Sequence, residues 1–253
     1  MSDHEGLESI IRNLGAKMKQ KRETSAILRR TATEVKKASL LVRAASVLCI
    51  SLVAIITVTY AVSYFYNRFG SFTVSLNKND MIRQGLSLSE TPEFTRPIAR
   101  LQADAVKEIT NISGDDLPLN LDNINGQHNG ENYIAYTFYI KNTGVDTVTY
   151  QADLSITNAT NNIDAAIRVR VYTNGEPVTY AKTKNDGSGP EYGTKEFHTG
   201  SIVMSQLRRG FAPGDIVKYT VVIWIEGDDP ECVDSVIGGN AKLQMDINIV
   251  EGA

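Results

Sequence analysis

The sequence predicts an all-β sandwich or jelly-roll ectodomain, preceded by a single transmembrane helix and a basic N-terminal cytoplasmic helix. Three observations predict it. Ala44 to Tyr66, AASVLCISLVAIITVTYAVSYFY, runs twenty-three residues without a charge. The residues before that run are basic with a helical period, and those after it are acidic and alternate with period two.

The first segment is residues 1–38. Up to Arg43 ten Lys and Arg face five Asp and Glu, net +5, whereas from Ala44 onward sixteen face twenty-four, net −8. Opposite charge on either side of an uncharged run implies two compartments. No proline interrupts residues 2–42, and Ser2 with Glu5 has the spacing of a capping box, so one helix is expected. Leu7, Ile11, Leu14, Met18, Lys21, Ser25, Leu28, Ala32, Val35, Ser39 and Val42 follow a 4,3 alternation with polar faults at Lys21, Ser25 and Ser39. Two readings stand: a basic amphipathic helix lying on anionic lipid, and a short parallel coiled coil pairing protomers. The consecutive faults at Lys21 and Ser25, with Gly15 in the first turns, favour the lipid reading.

Residues 39–66 are expected to form a signal anchor, with 44–66 in contact with the lipid bilayer. As a helix that run reaches ~35 Å, against a hydrocarbon core of ~30 Å. Tyr60, Tyr64 and Tyr66 gather at its C-terminal end, and Arg29, Arg30, Lys36, Lys37 and Arg43 precede it, which places the N-terminus in the cytoplasm. A cleaved signal peptide has a shorter lead and an apolar core of only ~7–15 residues, so a retained anchor is the better reading. Residues 67–253 then lie outside the cytoplasm. They hold one cysteine, Cys232, because Cys49 is within the span. No intrachain disulfide can staple this domain, which suggests a bacterial cell surface rather than a disulfide-dense secreted module.

In residues 67–253 the alternation marks strands. SFTVSL offers Phe72, Val74 and Leu76, with weaker candidates in GLSLSE and IARLQAD. YIAYTFYIK places Ile134, Tyr136, Phe138 and Ile140 on one face, and TVTYQADLSI places Val148, Tyr150, Ala152, Leu154 and Ile156 together. The short link KNTGVD between them, with Gly144, predicts a hairpin. AAIRVRVY points Ile167, Val169 and Val171 inward and Arg168 and Arg170 outward, and Asn174-Gly175 supplies the turn after it. Lys182 to Gly193, KTKNDGSGPEYG, is expected to be a mobile loop. In YTVVIWI both faces are largely apolar, as in a central strand covered on both sides, and AKLQMDINIV alternates once more. Eight to ten short strands between Gly, Asn and Asp turns make a sandwich or jelly roll.

YIAYTFYIKNTGVDTVTYQADLSI followed by FAPGDIVKYTVVIWIEG resembles the TasA/camelysin group of bacterial surface and biofilm-matrix proteins. The resemblance covers about residues 71–253. It implies an extracellular jelly roll that in some relatives polymerises by lending an N-terminal strand, here Phe72 to Leu76, to the next subunit. The chain departs from the group in its basic helix and anchor, where relatives carry a cleavable signal peptide. Camelysin's metallopeptidase label has no counterpart here, because no H-E-x-x-H occurs and His4, His128 and His198 stand far apart.

No enzyme is expected. Cys232 has no histidine near it in sequence, and neither G-x-S-x-G nor a glycine-rich phosphate loop is present. The acidic domain argues against nucleic acid. After YTVVIWI the chain turns into EGDDPECVD, with Glu226, Asp228, Asp229, Glu231 and Asp234. Such hard oxygen donors suit Ca²⁺, but the order is not that of a calcium loop, and a solvated acidic turn is the first reading. Cys232 reads as a small buried hydrophobe, with intermolecular pairing as the lesser alternative. The sequence therefore reads as a membrane-anchored, non-catalytic structural or adhesive surface protein able to self-assemble. The alternative is a single-pass signalling or scaffold protein whose β domain binds an extracellular ligand and whose basic helix recruits a cytoplasmic partner.

Overall fold

The computed structural model describes residues 3–66, 68–107 and 109–250. Ser2, and with it the expected capping box, lies outside them. Helix α1 runs without a break over Asp3–Tyr66. Within it Val35–Ala61, of mean hydropathy 2.4, is long and apolar enough to cross a bilayer, and none of it is buried. The hydroxyls there need no water: Thr57 donates to the Val53 carbonyl (2.8 Å), Thr59 to Ile55 (2.9 Å) and Ser51 to Leu48 (2.8 Å).

Residues 63–253 form a second compact unit. Its elements are β1 (Arg68–Phe69), β2 (Ser71–Leu76), α2 (Lys78–Gln84), β3 (Leu86–Ser89), β4 (Arg100–Ala103), β5 (Val106–Lys107) and β6 (Gly126–Gln127). There follow β7 (Tyr133–Asn142), β8 (Val148–Ala159), β9 (Ile167–Thr173), β10 (Glu176–Ala181), β11 (Lys195–Glu196), β12 (Ile202–Phe211), β13 (Ile216–Ile225) and β14 (Ala241–Ile249). One sheet has the order β12-β8-β14-β2-β4, the other β11-β10-β9-β13-β7-β3 with β6 also on β7. Pairing is antiparallel except at β14–β2 and β10–β11.

The two sheets share one apolar core. Phe72, Val74, Tyr150, Leu154, Leu243 and Met245 enter it from the first, and Ile134, Phe138, Val169, Tyr219, Val221 and Ile223 from the second. Phe138 stacks on Tyr219 at 5.6 Å, and Tyr150 meets Phe211 edge-on at 5.2 Å. The alternation in the sequence is the side-chain period of strands with one face on this core.

Two expectations are corrected. The KNTGVD link is a crossover, not a hairpin, because β7 pairs with β13, β3 and β6 while β8 pairs with β12 and β14. Buried Asn142 holds the crossing: its amide donates to the Asp146 and Phe211 carbonyls (both 2.9 Å), and its Oδ1 accepts the Gly144 N–H (2.9 Å). The Arg168 side chain leaves the core face as expected, yet it is buried rather than solvated. Elsewhere the turn at Asn174-Gly175 joins β9 to β10, both residues having the positive φ of a type I′ hairpin (52° and 93°). Residues 182–193 fold into turns, with Lys184 N–H on the Gly189 carbonyl (3.0 Å) and Lys184 Nζ 3.2 Å from Glu191.

β13 is central and covered on both sides. Its outer-face residues Val222 and Trp224 pack with Ala135, Leu117 and Leu121, so the segment between β5 and β6 roofs this sheet. Ile112 fixes the roof to the strand end, its N–H donating to the Ile225 carbonyl (3.0 Å). The acidic run follows directly.

Candidate functional site

β13 ends at Ile225, opposite the first residue of β9, so the acidic turn meets the start of β9 and the roofing segment at one end of the sheet. The five carboxylates then go different ways. Glu226 accepts the Trp224 indole N–H (3.0 Å) and the Gly114 N–H (3.1 Å). These tie the only tryptophan of the chain to the roof. Asp228 turns to the same segment and accepts the Ser113 hydroxyl at 2.8 Å. Asp229 turns inward to form an ion pair with Arg168, both side chains being almost fully buried (1 % and 2 % exposed). Asp234 is exposed and opens a short 3-10 turn.

Asp229 and Glu231 are brought together, since the Glu231 N–H donates to Asp229 Oδ1 at 2.7 Å. Glu191, from the 182–193 loop, joins them, and ligand atoms of Glu191, Asp229 and Glu231 lie within 4.8 Å of one another. This is the group that could hold a metal ion. The loop is docked by its Asn185 N–H on Glu231 Oε1 (3.0 Å). Two protein cations already serve the group, Arg168 on Asp229 and Lys184 on Glu191. Burial pushes the Asp229 carboxyl above its ordinary range and the adjacent Glu231 adds to this, against the pull of Arg168. Glu231 is held below its range by its hydrogen bond with Asp229 and by the Asn185 N–H.

Sequence reasoning missed Glu191 and Arg168. Glu191 lies in a polar loop with no spacing signal, and Arg168 reads as one of two outward arginines on an alternating strand. Arg170, the other, places its guanidinium 5.2 Å from the centroid of the Trp224 ring and donates its Nε–H to Thr179 Oγ1 (3.0 Å).

The histidines do not join this site. His128 meets the Gly126 carbonyl through Nδ1 (2.9 Å), and His198 is exposed. Cys232 is half-buried against the core and accepts from Asn111 Nδ2 at 3.4 Å.

No protein-family model matches the chain, and no curated protein matches it. Among solved structures it is similar to a Kluyveromyces marxianus β-glucosidase in complex with glucose, at 10 % identity and TM-score 0.24. That match covers 65 % of this chain and 15 % of the glucosidase. The selenomethionine form of that enzyme gives 11 % identity and TM-score 0.26, over 66 % of this chain and 17 % of the other. The N-terminal domain of PorA gives 5 % identity and TM-score 0.20, over 48 % of this chain and 82 % of that domain. These scores lie below those of a shared fold.

Proposed function

We propose that this protein is a single-pass, N-in membrane protein that holds a β-sandwich of jelly-roll type outside the cell, in a structural or adhesive, non-catalytic role. The observation that carries the reading is the unburied apolar stretch Val35–Ala61, entered from a basic segment and followed by a separately folded β unit. Protease added to intact cells should remove a C-terminal tag and spare an N-terminal one. A protected C-terminal tag would overturn the reading.

The resemblance to the TasA/camelysin group supports assembly by exchange of β2. That strand lies between β14 and β4 and contributes Phe72 and Val74 to the core, so deleting it would remove core side chains along with the exchange element. A reversible lock is cleaner: Thr73 pairs with Gln102, and cysteines at both positions would tie β2 to its own subunit. Filaments seen by light scattering and electron microscopy should vanish on oxidation and return on reduction; filaments that persist when oxidised refute exchange.

The oxygen-only group Glu191, Asp229 and Glu231 is that of a hard cation, and the ion we assign to it is Ca²⁺ at the weak affinity of extracellular sites. The ligand set differs from the run in the sequence because Glu226 and Asp228 are engaged by the roof.

One observation favours the signalling alternative. α1 begins at Asp3, some thirty residues before the apolar stretch, far more than an anchor requires. Replacing residues 1–36 by a minimal basic tag should leave surface display intact and abolish signalling.

A further inference from the structure

On the outer face of β9, β10 and β13, beside the acidic group, opens a cavity of about 360 Å³. This falls at the low end of the ~300–1,000 Å³ typical of small-ligand sites. Arg170, laid over Trp224, forms its floor. The roofing segment at Asp115 makes one wall, and the loop carrying Glu191 and Tyr192 makes the other. Tyr192 is a wholly exposed aromatic at the rim.

The unmatched hydrogen-bonding groups define what fits. Among the described residues no donor reaches the Asp115 carboxylate, Asp228 is engaged by the Ser113 hydroxyl through Oδ2 alone, and Glu191 Oε1 is buried without a partner. Arg170 engages Thr179 through Nε and leaves its terminal N–H groups available. A ligand must therefore donate to several carboxylate oxygens and also accept from a guanidinium. Phosphates and uronic acids meet repulsion from Asp115, Asp228 and Glu226. The carboxylates of the lining outnumber Arg168 and Arg170 and draw cations, but an ammonium or guanidinium group has no acceptor for the terminal N–H groups of Arg170 and finds the Trp224 ring already covered by it. Neutral hydroxyls both donate and accept, and the C–H face of a sugar ring packs against an aromatic side chain such as Tyr192.

We infer that this cavity is a binding site for a neutral glycan, with a pyranose ring against Tyr192 and its hydroxyls bridging Asp115, Asp228 and Arg170. The inference deepens the surface reading proposed above and rests on it for the compartment in which glycans are met. It gives the adhesive domain a ligand class and places the contact on one end of one sheet.

Trp224 is the only tryptophan of the chain, so its emission reports this cavity directly. The full chain in lipid nanodiscs, free of sugar-headgroup detergent, is titrated with neutral β-linked oligomers of glucose, mannose and N-acetylglucosamine. A polygalacturonate fragment and an oligolysine are run alongside. A saturable change is expected with a neutral oligomer, weakened about tenfold by Tyr192→Ala and severalfold by Asp115→Asn. Both residues are exposed, so both variants keep the fold. The inference is overturned if no neutral oligomer acts at millimolar concentration, if polygalacturonate or oligolysine is preferred, or if Tyr192→Ala binds as wild type. Nanodisc binding reads the cavity whichever way the chain is inserted, and tag proteolysis reads insertion whether or not a glycan binds, so the two readings fail separately.

Discussion

Replacing either member of the Arg168–Asp229 pair tests how the acidic turn is held. With 2 % and 1 % of the side chains exposed, the pair is in the fully buried regime, where loss of one partner costs ~3–5 kcal/mol by leaving the other charge uncompensated. For a unit of this size, Ser63–Ala253, each kcal/mol moves the melting temperature by ~2–4 °C, so a drop on the order of 10 °C is expected. The two single variants should differ in pH dependence. In Asp229→Asn the guanidinium cannot shed its proton, and the loss persists at every pH. In Arg168→Met the orphaned carboxyl can take up a proton, so the loss shrinks on acidification towards pH 4. The double variant Arg168→Met/Asp229→Leu should recover most of the stability, since apolar replacement of a buried pair is often neutral. Melting followed through Trp224 emission reads all three. A single variant melting within about 2 °C of wild type, against the shift expected above, would refute the reasoning, as would a double variant as unstable as the singles.

Calcium at ~10 mM, binding with a Kd of ~1 mM, should stabilise the β unit by ~1.4 kcal/mol, a rise of ~3–6 °C in the melt of the full chain; an unchanged melt removes the metal reading. Gly144→Ala would bring a Cβ to 2.3 Å from the Gln84 carbonyl oxygen, and the crossover should lose ~1–3 kcal/mol as a lowered urea midpoint. A midpoint equal to that of wild type would show that the link has room. Burial raises the phenols of Tyr136, Tyr150, Tyr180 and Tyr219. Their contribution to stability is therefore full below the ordinary tyrosine pKa of ~10 and is lost as pH rises beyond it. These four of eleven tyrosines should ionise only as the fold is lost, and an absorbance titration in which all eleven ionise together in the folded chain would contradict that.

The strands were legible because their signal is local. β7, β8, β13 and β14 each set apolar residues two apart towards one core, and β13 announced its central place by being apolar on both faces. What was not legible depends on partners distant in sequence. Gly144 in a six-residue link fits a hairpin and a crossover equally well. The choice falls to Asn142, whose amide bonds a carbonyl sixty-nine residues away. α2 was passed over although Asn77 caps it and Gly85 ends it, because its seven residues bury no side chain and so carry no apolar period.

The acidic turn shows why a run of ligand-type residues in sequence is a poor guide to convergence in space. A chain leaving a strand through Gly227 and Pro230 points successive side chains in different directions, and each then takes the nearest unmet donor. For Glu226 that donor is the indole N–H of Trp224, which had to be satisfied once the roof buried the ring. For Asp228 it is a serine of the roof, and for Asp229 an arginine sixty-one residues upstream. Glu231 is turned towards the 182–193 loop, and that loop brings the third carboxylate, Glu191, to it and to Asp229. The same packing that disperses the run leaves Asp115, one oxygen of Glu191 and the ends of Arg170 unmatched around a single cavity. The place to look for a glycan is therefore the face the roof leaves open, where Asp228 of the run lines the cavity together with Asp115 and Arg170.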